Sequence, residues 1–129
     1  MTVSKKNRQI IFDKFGGRCA YCGDPLQKGW HVDELLPIRR SFKYVDGKKI
    51  CGGKPLHPER LHIDNQMPSC PSCNINKHSM NLEEFRNLIT GFIKSLNRDS
   101  TQYKIAKRYG LINENIKPII FYFEKCKTD

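Results

Sequence analysis

Two pairs of closely spaced cysteines constrain this chain more than any other feature. Cys19 and Cys22 form CAYC, and Cys70 and Cys73 form CPSC. A knuckle with this spacing turns both sulfurs toward one point, and two knuckles close a tetrahedron of thiolates around a Zn²⁺ ion. The 47 residues between Cys22 and Cys70 then form a loop tied off by the metal. A redox role competes for a single CxxC. It does not explain two, and no thioredoxin-like βαβ pattern surrounds them. Cys51 and Cys126 stand alone and read as ordinary thiols. Disulfides are not expected, because the apolar stretch near the N-terminus (Ile10 to Phe12) is too short for an export signal.

A metal staple suits the rest of the composition. A chain of 129 residues is expected to form one domain, and buries roughly two-thirds of its unfolded surface. Only 38% of it is apolar and 28% is charged, which is lean for an unaided core. The net charge of +10 favours a polyanionic partner, nucleic acid or an anionic surface. No apolar run approaches the ~20 residues that cross a bilayer. The composition therefore argues against membrane, secreted, collagen-like and wholly disordered classes, and a cytoplasmic location is expected. The charge gathers in the flanks: residues 1–18 carry five bases and one acid, and 94–129 carry eight and four. Residues 19–93 carry ten and eight.

Periodicity and turn signals sketch the elements. Ser4 caps a short helix through Phe15, which Gly16-Gly17 ends. Trp30 to Ile38 reads as a strand-like run stopped by Pro37. Residues 39–60 read as a long basic loop, with a hairpin at Lys43–Ile50 around Asp46-Gly47. Asn81 caps a helix through about Leu96, with Leu82, Phe85, Leu88, Ile89, Phe92, Ile93 and Leu96 on its apolar face. A second helix spans Thr101 to Tyr109 and ends at Gly110. For Ile119 to Phe123, strand and packed helix both remain open. No helix-turn-helix with recognition chemistry is evident.

Between the cysteine pairs stand HVDELLP (31–37), Gly52-Gly53 and Asn65, and CPSCN (70–74) is followed by Lys77. Together with CAYC (19–22), these pieces resemble the HNH endonucleases of the ββα-metal type. Asn65 lies nine residues before Asn74, as in that family. The resemblance covers residues 4–97. The tail, with YGLI (109–112) and KPIIFYFEK (117–125), is similar to that of small phage and bacterial HNH proteins. It implies an α+β fold: a zinc-stabilised ββα-metal core over 1–97, with a helical C-terminal extension over 98–129 packing on it as one domain.

The resemblance also implies roles. Asp33 and Asn74 would hold a catalytic Mg²⁺ or Mn²⁺, a hard cation that suits oxygen ligands. Asn65 would orient the general base. That base is His in the family, and here the position holds Glu34. A carboxylate has a reference pKa of ~4.3 and is a weaker base than imidazole near neutrality. Glu34 itself can serve as base or extra ligand. So can His31, which shares a strand face with Asp33, or His57 or His62 from the loop. Otherwise the centre does not cut.

Arg39 and Arg40 are expected to contact nucleic acid. So is Lys77, as a phosphate contact near the metal. Lys5, Lys6, Arg8, Lys43, Lys48, Lys49, Lys54 and Arg60 add backbone-neutralising charge. Trp30 and Tyr44 can stack on bases, or pack. Three readings follow. The first is a metal-dependent endonuclease acting on DNA, from a phage or mobile element. The second is an inactive protein of the same fold that binds nucleic acid or inhibits a protein partner. The third is a zinc-ribbon interaction module.

Overall fold

The computed structural model describes residues 3–38, 43–50 and 54–126. The basic pair Arg39-Arg40, the Gly52-Gly53 step and Cys51 lie outside the described residues. Helix α1 covers Lys5–Asp13, and Ser4 Oγ accepts the Asn7 N–H at its start. Ile11 on its inner face is fully buried.

The remaining elements are β1 (His31–Glu34), the hairpin β2 (Lys43–Val45) and β3 (Lys48–Ile50), β4 (Gln66–Ser69), α2 (Pro71–Lys77), α3 (Leu82–Thr90), α4 (Phe92–Asp99), α5 (Thr101–Arg108) and the single turn α6 (Tyr122–Lys125). Two 3₁₀ turns, Pro58–Arg60 and Ile63–Asn65, lead into β4. The expected hairpin is present. Its two turn residues, Asp46 and Gly47, both have positive φ (51° and 76°), the backbone that lets a tight turn follow the twist of its strands.

Strand β1 pairs with β4 antiparallel, with Val32 opposite Pro68 and Asp33 opposite Met67. Helix α2 follows β4 directly, so β1, β4 and α2 form a ββα unit. The Lys14 ammonium ties it to the N-terminal segment by donating to the carbonyls of Ile63 and Gln66, each at 2.6 Å.

The expected continuous helix over 81–96 is corrected to two. Asn81 does cap the first through a reciprocal pair with Glu84. Gly91 then closes α3 and opens α4, where its lack of a side chain weakens the helix interior. The run Ile119–Phe123 is neither strand nor full helix. It is an extended segment entering α6, and it bonds the first cysteine knuckle: Tyr122 N–H to the Tyr21 carbonyl at 2.9 Å and Phe123 N–H to Ala20 at 2.8 Å.

The core joins these pieces. Cys19, Ala20, Tyr21, Met67, Phe85 and Phe121 form one buried cluster. Phe85 stacks on Phe121 at 5.4 Å, and Tyr21 meets both edge-on. Arg86 on α3 locks the returning tail. It grips Glu124 with two bonds, donates to the Ile119 carbonyl and lies 4.7 Å above the Phe121 ring. No helix among the described residues is long and apolar enough to cross a membrane.

Candidate metal centre and active site

The metal centre is built by two short loops. Gly23 makes the first knuckle close: its N–H reaches the Cys19 carbonyl at 3.0 Å, with φ at +81°. A Cβ there would meet the Tyr122 ring at 2.9 Å. The second knuckle opens α2. Cys70 is its N-cap, Pro71 fills the first helical position, and Cys73 N–H points to Cys70 Sγ at 3.4 Å.

The ligating atoms of Cys19, Cys22, Cys70 and Cys73 lie within 4.8 Å of one another. Cys22 and Cys70 sulfurs are 3.8 Å apart. Around a tetrahedral ion with Zn–S bonds near 2.3 Å, neighbouring sulfurs sit about 3.8 Å apart. The four therefore stand close enough to hold one metal ion, and the thiolate set is compatible with zinc. Their acidities are split as in a proton-sharing cluster. A hydrogen bond from Cys73, against the pull of burial, draws the Cys19 thiol down to about 4. The same bond pushes Cys73 up, and burial chiefly pushes Cys22 to about 11. Metal binding removes these protons.

Below the metal centre lies a buried polar triad that sequence reasoning did not anticipate. Asp33 is 5% exposed and Lys77 is fully buried. The Lys77 ammonium sits 3.0 Å from Asp33 Oδ2 and donates to the Glu34 carbonyl at 2.8 Å. The Tyr21 hydroxyl donates to the same Asp33 oxygen at 2.5 Å. Burial pushes the Asp33 carboxyl above the usual carboxylate range, while Lys77 and Tyr21 pull it back. Burial, and then the Asp33 charge, push the Tyr21 phenol upward. Lys77, expected at a phosphate, is fully buried here, with its ammonium turned to Asp33 and the Glu34 carbonyl. Tyr21 gave no signal, being the unconstrained residue inside CAYC.

The other residues surround this triad. Asn65 clamps the backbone just beyond β1. Its Oδ1 accepts Leu36 N–H at 2.8 Å, and its Nδ2 donates to the carbonyls of Leu36 at 2.9 Å and Arg60 at 3.0 Å. It therefore fixes the exit of the strand instead of touching the Glu34 side chain. Glu34 is half-buried, and its carboxylate has no partner among the described residues. Strand alternation puts Glu34 on the face opposite Asp33. His31 shares the Asp33 side of the strand by alternation but is exposed. The loop histidines are engaged locally: His57 Nδ1 lies 3.3 Å from Glu59, and His62 Nδ1 accepts the Asp64 N–H at 3.2 Å.

Asn74 is half-buried on α2, one residue after Cys73, and its side chain has no partner among the described residues. Asp33 Oδ1 likewise has none. These two oxygens suit a hard divalent cation by chemistry. The Lys77 ammonium beside Oδ2 opposes one by charge. No protein-family model matches this chain, and no curated protein or solved structure matches it either.

Proposed function

We propose that this protein is a metal-dependent endonuclease that hydrolyses DNA phosphodiester bonds, with structural zinc in the four-cysteine site. The observation that carries the reading is the ββα unit itself. Asp33 and Glu34 stand on β1, Asn65 in the 3₁₀ turn before β4 and Asn74 on α2, an order that supports the HNH resemblance. In this reading the zinc ties β4 and α2 to the N-terminal knuckle. Asp33 and Asn74 would hold Mg²⁺ or Mn²⁺, which when bound stabilises charge developing on the phosphate.

The protein's own residues supply the rest. Glu34 offers an unpaired carboxylate to take a proton from the attacking water. Asn65 holds the backbone that carries Glu34, so the carboxylate keeps its place at the strand exit. Tyr21 and Lys77 fix the Asp33 side chain, which limits its rotamers before any substrate arrives.

The ion pair between Lys77 and Asp33 favours one second reading. An ammonium 3.0 Å from the carboxylate supplies a resident positive charge. With Glu34 in place of His, it fits a protein of this fold that binds nucleic acid or a protein partner without cutting.

Incubation with supercoiled plasmid separates the two. The nuclease reading predicts nicking in Mg²⁺ or Mn²⁺ that EDTA stops and that Asn74→Ala and Glu34→Ala abolish while both variants stay folded. Unchanged nicking by Asn74→Ala overturns the metal assignment.

A further inference from the structure

Helix α1 carries a cationic fork held over an aromatic ring. The Arg8 guanidinium carbon lies 3.9 Å from the centre of the Trp30 ring. One of its terminal nitrogens donates to the Trp30 carbonyl at 2.5 Å. Phe12 supports the indole from the side, with ring centres 5.7 Å apart. The ring contact and the carbonyl bond together restrain the guanidinium. Arginine gains most from this, because its rigid fork loses little further freedom when it meets an anion.

The fork is not consumed by its neighbours. Arg8 Nε and its other terminal nitrogen have no partner among the described residues. The cavity beside it, of about 430 Å³, is lined by Lys5, Arg8, Gln9, Phe12 and Trp30. That lining holds two cations and no carboxylate. The nearest acid on the helix, Asp13, is bonded by the Gln9 amide. Lys5 lies three residues before Arg8, on the same helix face.

The position matters as much as the charge. Trp30 directly precedes β1. At about 3.3 Å per residue, Glu34 lies about 13 Å along the strand from Trp30. A polyanionic strand gripped at Arg8 can therefore run toward the candidate centre. We infer that Arg8, held over Trp30 with Lys5 beside it, is a phosphodiester clamp that seats a nucleic-acid strand flanking the cleaved bond. This rests on the nuclease reading for its orientation, but the clamp itself is a binding claim. An Arg fork can take two oxygens of one phosphate.

Trp30 is the only tryptophan of the chain, so its emission reports on the clamp directly. The experiment titrates zinc-loaded protein with a labelled DNA oligonucleotide, without divalent cation, at several salt concentrations. Anisotropy and Trp30 emission are read together. For wild type, Trp30 emission changes in step with binding. Arg8→Ala is expected to weaken binding about tenfold and to lower the slope of log Kd against log salt by about one. Arg8→Lys is expected to keep that slope but to bind several-fold weaker than wild type. Unchanged affinity and slope in Arg8→Ala overturn the clamp. Retention on anionic phospholipid vesicles with no DNA binding overturns it too. Because no cutting is needed, the two claims separate: a wild type that never cuts but binds through Arg8 keeps the clamp and loses the nuclease. A wild type that cuts, with DNA affinity and salt slope unchanged in Arg8→Ala, keeps the nuclease and loses the clamp.

Discussion

Replacing Lys77 by Met tests whether the buried triad is an ion pair or incidental packing. The change keeps length and apolar bulk but leaves Asp33 with Tyr21 alone. At the observed 3.0 Å, the attraction between unit charges is about 5–6 kcal/mol at an effective dielectric near 20. The loss cannot reach that figure, because the stranded carboxylate can take up a proton. From an unfolded-state pKa near 3.9, protonation at pH 7 costs about 4 kcal/mol. That ceiling agrees with the roughly 3–5 kcal/mol seen when one partner of a buried pair is removed. It is a large share of the roughly 5–15 kcal/mol that holds a domain together.

The ceiling falls by about 1.4 kcal/mol for each unit of pH, so at pH 5.5 it is about 2 kcal/mol. The sign follows from linkage. With the folded-state pKa raised, the folded chain keeps a proton that the unfolded chain has released, so stability drops as pH rises through that window. Urea unfolding of the zinc-loaded protein at pH 7 and pH 5.5 measures both values. The expected result is a deficit of about 3–4 kcal/mol at pH 7 that roughly halves at pH 5.5. The double variant Lys77→Met with Asp33→Asn should recover most of it. A deficit under about 1 kcal/mol at pH 7, or one that ignores pH, refutes the argument.

Two further outcomes follow from the geometry. Chelating the zinc-loaded protein, or changing Cys19 or Cys70 to Ser, should abolish the cooperative unfolding transition, because a metal held by the four cysteines would join the two knuckles that frame the core. Retained far-UV circular dichroism and a sharp melt after chelation would contradict this. Asn65→Ala removes two hydrogen bonds to Leu36 at the β1 exit and one to the Arg60 carbonyl, and should destabilise the fold by about 2 kcal/mol, read by chemical denaturation. Cleavage should fall even where the variant is fully folded, because Glu34 loses its fixed backbone.

How much of this was legible in the chain depends on the range of each interaction. The four-cysteine cluster was readable because each knuckle is a four-residue local motif. The Asp46-Gly47 hairpin and the Ser4 and Asn81 caps were readable for the same reason. Strand β4 was hidden, because Pro68 sits inside it and breaks the usual strand signature. The place of Phe121 was hidden too, since its partners Tyr21 and Phe85 come from distant segments. Lys77 misled most. A lysine just after a cysteine knuckle is expected outside, and it is buried here because one carboxylate and one carbonyl from β1 receive it. Only tertiary packing creates those partners.

The account stands or falls on chemistry at position 34. Single-turnover cleavage of plasmid DNA at neutral pH, in Mn²⁺, should be compared between wild type and Glu34→His. The account predicts that wild type cuts measurably and that Glu34→His cuts faster, because imidazole is the better base at that pH. Absence of cutting by both proteins, each folded and zinc-loaded, contradicts the proposal that this centre is a nuclease.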